Sequence, residues 1–121
     1  MIVKSYRDVK EEPVKIEGVE NTTIRWLIDD KTGPNFAMRR YELKGTIPRH
    51  THPHEHEVYF LEGRGEVITE EGKTREVGPG DFAYIPPNEV HGFKSLDTEK
   101  PLAFLCVVPR NRGKTTFTTT C

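Results

Sequence analysis

Residues 45–63 read GTIPRHTHPHEHEVYFLEG and hold four of the chain's five histidines, His50, His52, His54 and His56. Side chains two apart on a strand share a face, so His50 and His52 are expected to point the same way from an extended segment. Pro53 cannot donate to a sheet ladder and marks a turn over 53–55. The chain then returns as VYFLEG with His56 beside its head, and a hairpin of this shape sets His56 next to His52. Three imidazoles thus converge from local sequence alone. A solvated loop can also be rich in histidine. Strand spacing followed by a turn favours a metal site instead, since neutral imidazole is the commonest metal ligand. His54, at the tip of the turn, is expected to be exposed, with a role at a pocket mouth as the weaker reading.

Working outward, glycine and proline punctuate the whole chain, with short strand-like runs between them. Strands are expected near 24–29, 36–43, 47–52, 56–61, 66–69, 74–77, 82–85, 91–94 and 102–108. No window keeps a 3.6-residue apolar period for long, so long helices are not expected. Many short antiparallel strands in a chain of 121 residues give an all-β fold, a sandwich or barrel, in a single domain over 1–121. The one remaining histidine, His91, follows a glycine-rich turn, a short apolar strand and the proline turn Pro86-Pro87-Asn88, which places it at the head of another strand.

Composition narrows the function classes. Eighteen basic and 19 acidic residues leave a net charge of -1, which gives no basic stripe for nucleic acid and no attraction to an anionic membrane. The N-terminal MIVKSYRDVKEEP carries charges where a signal peptide has an apolar core, and no run reaches the ~18 apolar residues of a membrane span. A cytoplasmic protein is the expectation. The two cysteines agree with it, because Cys106 lies in the apolar run PLAFLCVVP and Cys121 is read as part of a mobile tail over 113–121. No framework disulfide is therefore expected. The alternative for 114–121 is an edge strand.

The two histidine segments together resemble the cupin family. Its first motif runs from Gly45 through His50 and His52 to His56 and, six residues on, Gly63. Its second runs from Gly80 over five residues to Pro86, then Pro87, Asn88 and, after two more residues, His91, so the motifs lie within 45–95. The spacer before His50 is one residue short, and Asn88 stands where the family has glycine, a position whose left-handed backbone asparagine tolerates. Histidine also stands where most cupins have glutamate. Glu57 satisfies a looser spacing from His52, but the six-residue gap to Gly63 and strand alternation favour His56 as the inward group.

The resemblance implies a double-stranded β-helix, or jelly-roll barrel, holding one divalent metal on His50, His52, His56 and His91. Four neutral imidazoles leave the ion its full charge, and an octahedral ion keeps two open positions, as catalytic sites do. Imidazole suits iron, nickel, copper and zinc; the resemblance implies manganese or iron, then nickel. Because binding needs unprotonated imidazole, affinity is expected to fall below a pH of ~6.5.

If His56 and His91 face inward, so do Val58, Phe60 and Phe93. On the last strand either Phe104 and Cys106 or Leu105 and Val107 face in, and the resemblance implies the first pair. Arg39 interrupts the apolar face of Ala37, Tyr41 and Leu43, either to anchor an anion or because it is exposed. A metal-dependent oxidase or dioxygenase for a small apolar or aromatic molecule is the leading expectation. A sugar or sugar-phosphate isomerase or epimerase, and a small-ligand-binding protein without turnover, are the alternatives. A homodimer is expected by analogy with the family.

Overall fold

The computed structural model describes residues 1–97, 99–110 and 121. Among the described residues a single 3-10 turn, Tyr6–Asp8, precedes ten strands. These are β1 (Glu12–Pro13), β2 (Thr22–Ile28), β3 (Phe36–Leu43), β4 (Thr46–His50) and β5 (His56–Glu62). There follow β6 (Gly65–Ile68), β7 (Thr74–Val77), β8 (Phe82–Ile85), β9 (His91–Ser95) and β10 (Leu102–Pro109). They form a six-stranded sheet, β1-β2-β3-β10-β5-β8, and a four-stranded sheet, β4-β9-β6-β7. Every ladder is antiparallel, and the two sheets make a jelly-roll barrel. Among the described residues no helix is long and apolar enough to cross a membrane.

Strand alternation decides the interior. On β3, Ala37, Arg39, Tyr41 and Leu43 are fully buried. The neighbouring Arg40 lies on the other face, over the Tyr6 ring and against Glu42. On β5, His56, Val58 and Phe60 are buried while Glu57 and Tyr59 are exposed. On β10, Leu102, Phe104, Cys106 and Val108 are buried, with Leu105 and Val107 half-buried on the opposite side. The core is an aromatic cluster in which the Phe104 ring lies 5.2 Å from Tyr41, 5.1 Å from Phe93 and 5.8 Å from Phe60.

Three expectations are corrected here. β4 stops at His50, so His52 lies beyond the strand and reaches the site from the following loop. No hairpin joins β4 to β5: β4 pairs with β9 and β5 with β10 and β8, so the turn over 53–55 carries the chain from one sheet to the other. Cys106 and Cys121 form a disulfide, their Cα atoms 6.4 Å apart and so within bridging range. The cysteines therefore no longer support a cytoplasmic setting. Of the tail expected over 113–121, residues 113–120 lie outside the described residues, and Cys121 is buried. β1, two residues long, had no sequence signal.

Two backbone positions hold the motif turns. Asn88 has φ 68°, the left-handed conformation expected of it. Gly63 has φ 77°, and a Cβ there would sit 2.3 Å from the Pro101 carbonyl oxygen, a backbone atom with little room to yield. Gly63→Ala is expected to cost about 1–3 kcal/mol. A urea midpoint equal to wild type would refute this, whereas Asn88→Gly should leave the midpoint within experimental error or raise it.

Candidate metal centre

Four elements deliver the histidines to one end of the barrel. His50 closes β4, and a register irregularity between Ile47 and His50 lets both face inward although they are three apart, opposite Phe93 and His91. Pro48, which cannot donate to the ladder, stands inside that irregularity. His56 opens β5 and His91 opens β9, both buried. His52 rides on the intervening loop, which the second-motif turn pins: Asn88 N–H donates to the His52 carbonyl at 2.7 Å.

The imidazoles gather in two overlapping groups. Donor atoms of His50, His52 and His91 all lie within 4.8 Å of one another, and so do those of His52, His54 and His56. Ring centroids are 4.4 Å apart for His50 and His91, 4.7 Å for His50 and His52, and 4.6 Å for His52 and His56. His54, expected at an exposed tip, is instead half-buried and stacked on His52 at 5.5 Å with the rings 4° from parallel. Its even spacing from His52 and His56 was the available signal.

The hydrogen bonds select one nitrogen on the rings of His50, His56 and His91. His50 Nδ1 faces the Pro48 carbonyl at 2.7 Å, and His91 Nδ1 faces the Glu89 carbonyl at 2.9 Å. His56 Nδ1 lies 3.3 Å from Cys106 Sγ. A neutral imidazole that donates through Nδ1 keeps its lone pair on Nε2. The Nε2 atoms of His52 and His56 are buried and have no hydrogen-bond partner among the described residues. Those of His50 and His91 face one atom, a main-chain oxygen of Cys121, at 2.8 and 3.2 Å. A lone pair facing an acceptor oxygen is held only through a proton or a cation. Nε2 donors with Nδ1 fixed by neighbouring acceptors are how metal-binding histidines are commonly oriented, so this donor set fits a divalent ion.

Behind the imidazoles lies Arg39, fully buried. Its Nη2 donates to Cys106 Sγ at 3.2 Å, and its Cζ sits 5.4 Å from the Trp26 ring and 5.7 Å from that of Tyr41. The exposed reading of Arg39 is thereby set aside. Phe60, Phe93, Phe104 and Cys106, all fully buried, and Val58, nearly so, line the interior beside it.

Residues 37–108 match the model of the cupin domain. The chain belongs to the cupin family. Among solved structures, this cupin is similar to the polyketide cyclase RemF from Streptomyces resistomycificus, with 38% identity, a TM-score of 0.85, and coverage of 94% of this chain and 82% of that one. It is also similar to ectoine synthase from P. lautus, with 25% identity, a TM-score of 0.72, and coverage of 90% and 78%. Among curated proteins it matches L-ectoine synthase of Vibrio cholerae at 23% identity, over 85% of this chain and 75% of that protein.

Burial sets the electrostatics of the cupin's site. It lowers His52 to about 3, helped by the charges that His50 and His91 would carry, and His56 to about 2, helped by His52 and Arg39. His91 is lowered by burial too, against the opposing pull of the Glu89 carbonyl. In the unfolded chain each titrates near 6.5. Below that pH the unfolded chain takes up protons that the folded cupin refuses. Stability of the metal-free protein is therefore present above 6.5 and lost as pH falls, most steeply through the fully buried His56, at up to about 1.4 kcal/mol per pH unit. Glu57, raised to about 7 by burial and by Glu55, works in the opposite direction between 7 and 4.5. It is exposed and screened by water, so the three histidines decide the sign. Urea midpoints of the apo-protein should fall steadily from pH 7 to 5; a flat profile would refute the assignment. Since His52 and His56 stay neutral in the fold well below 6.5, acid loss of metal is expected to follow unfolding rather than their protonation.

Proposed function

We propose that this cupin is a metal-dependent cyclase, closing a ring in a small oxygenated substrate with an apolar or aromatic body. The observation that carries ring closure is the 38% identity to a polyketide cyclase over 94% of the chain. What supports the metal is that the Nδ1 atoms of His50, His56 and His91 are engaged, leaving their Nε2 atoms, together with the buried Nε2 of His52, as ligands. Sequence alone favoured an oxidase or dioxygenase; the likeness to a cyclase and to ectoine synthases moves the reading to non-oxidative chemistry.

A bound divalent ion would supply Lewis acidity toward a carbonyl oxygen. The chain's own groups do the rest. Phe93, its ring edge-on to that of His91 at 5.8 Å, and Phe60 and Phe104 packed against it close the barrel side of the site to water. His54, with its ring 4.9 Å from that of His56, is stationed beside the cluster to carry the proton removed from a carbon between two carbonyls. The resulting carbanion attacks a second carbonyl of the same molecule, and the new hydroxyl leaves with a proton as water.

The test is to incubate metal-loaded protein with a linear poly-β-ketone thioester, following product mass and dissolved oxygen together. A cyclic product lighter by one water, with no oxygen consumed, is the expected result. Oxygen uptake in step with turnover would overturn the cyclase reading and restore the oxidase.

A further inference from the structure

Cys121 brings a main-chain oxygen to the histidines from outside the two motifs. That oxygen lies 2.8 Å from His50 Nε2 and 3.2 Å from His91 Nε2, and the residue is fully buried. Two donors bound at right angles to one ion, each at ~2.1 Å, stand ~3.0 Å apart. The oxygen is therefore spaced from both nitrogens as a neighbouring ligand is. An atom standing in the ion's own place would lie ~2.1 Å from each. The donor chemistry points the same way. His50 Nδ1 and His91 Nδ1 each face a main-chain carbonyl, so in the neutral rings the Nε2 lone pairs meet those of the Cys121 oxygen. A cation among the three atoms turns that repulsion into attraction, and main-chain oxygens are ligands that hard divalent ions accept.

The sulfur holds the oxygen in place. Cys121 is bonded to Cys106, and Cys106 sits within β10, in register with Arg39 on β3 and Val58 on β5. A strand paired on both sides is a fixed post. We propose that Cys121 supplies the metal with a fifth ligand, its main-chain oxygen, and that the disulfide to Cys106 keeps this ligand bound. The proposal rests on the metal-centre reading above. An octahedral ion on four imidazoles and this oxygen keeps one open position, and cleavage of the disulfide releases Cys121 and opens a second. A dithiol reductant supplies the two electrons and two protons for that step, departs as its own disulfide and leaves Cys106 and Cys121 as thiols. Substrates that chelate through two oxygens are then admitted by the reduced protein, whereas a ligand with one oxygen is admitted by both forms.

Manganese(II) is the probe, because released thiols compete poorly for a hard ion. Water-proton relaxation counts its exchangeable waters, and the resonance of free manganese in electron paramagnetic titrations gives its affinity. Oxidised wild type, which has no free cysteine, is compared with two other forms. One is wild type treated with a phosphine and desalted under argon, the phosphine taking oxygen from water as both sulfurs become thiols. The other is Cys121→Ser. Oxidised wild type is expected to hold manganese with one exchangeable water and about fivefold more tightly than the other two forms. Those forms should carry two waters, with inner-sphere relaxivity raised about twofold. Equal water counts and affinities in all three would overturn the fifth ligand and leave the metal centre standing. Manganese taken up by the reduced form and refused by the oxidised one would also overturn it, making Cys121 a plug. Folded protein that binds no manganese in any form would defeat the metal centre and this ligand with it. Should Cys121→Ser fail to fold, reduced wild type carries the comparison by itself.

Discussion

His52→Ala is expected to weaken metal binding on the order of a hundredfold, more than any other single histidine substitution in the cluster. His52 belongs to both groups of converging donors, and its Nε2 is buried with no hydrogen-bond partner among the described residues. Its ring sits 4.7 Å from His50 and 4.6 Å from His56, so it joins the two halves of the site. His50→Ala, His56→Ala and His91→Ala should each lower affinity severely, whereas His54→Ala should retain near-stoichiometric metal. Competitive titration against a chromogenic chelator reads all five variants on one scale. The reverse pattern, with metal lost in His54→Ala and kept in His50→Ala and His91→Ala, would move the site to His52, His54 and His56.

Phe104→Ala is expected to be the costliest core truncation, at about 3–5 kcal/mol. Phe104 is fully buried on β10 and its ring meets those of Tyr41, Phe60 and Phe93. Removing it opens a cavity whose walls belong to both sheets, namely β3, β5 and β10 in one and β9 in the other. Side chains locked in separate ladders cannot collapse into such a space, which is why the cost should lie at the upper end for an aromatic residue. Leu105→Ala, one position along and half-buried on the opposite face, is the internal control and should cost clearly less. Equilibrium urea unfolding of metal-free protein measures both. A loss below about 1 kcal/mol for Phe104→Ala would mean that the aromatic cluster is not what holds the sheets together.

The contrast between these two positions marks what could be read from sequence. Period-two alternation put His56, Val58 and Phe60 on one face of β5 and Glu57 on the other, and the structure places them so. The turn chemistry of Asn88 was legible for the same local reason. Alternation is silent about which strand lies next door. It could not show that β4 and β5 belong to different sheets, nor that an irregularity at Pro48 turns His50 inward. On β10 it left two faces open, and pairing with both β3 and β5 settles them. Arg39 was ambiguous because a cation on an apolar face fits either solvent or a buried site. Only the contact with Cys106 and the flanking rings of Trp26 and Tyr41 place it inside. Cys121 is distant in sequence from Cys106 and His50, which it touches, so no local pattern could announce it.

The position of β10 bears on how the chain is made. Among the described residues it is the last strand in sequence, yet in the larger sheet it lies between β3 and β5. During synthesis the earlier strands leave the ribosome with the facing edges of β3 and β5 unpaired, each a template for another chain. Residues 102–109 then close both edges in one event, joining β10 to β3 and β5 at once. A premature stop ahead of Leu102 would accordingly yield a nascent product with two sticky edges and no floor to its site, a substrate for chaperones and proteases rather than a smaller barrel.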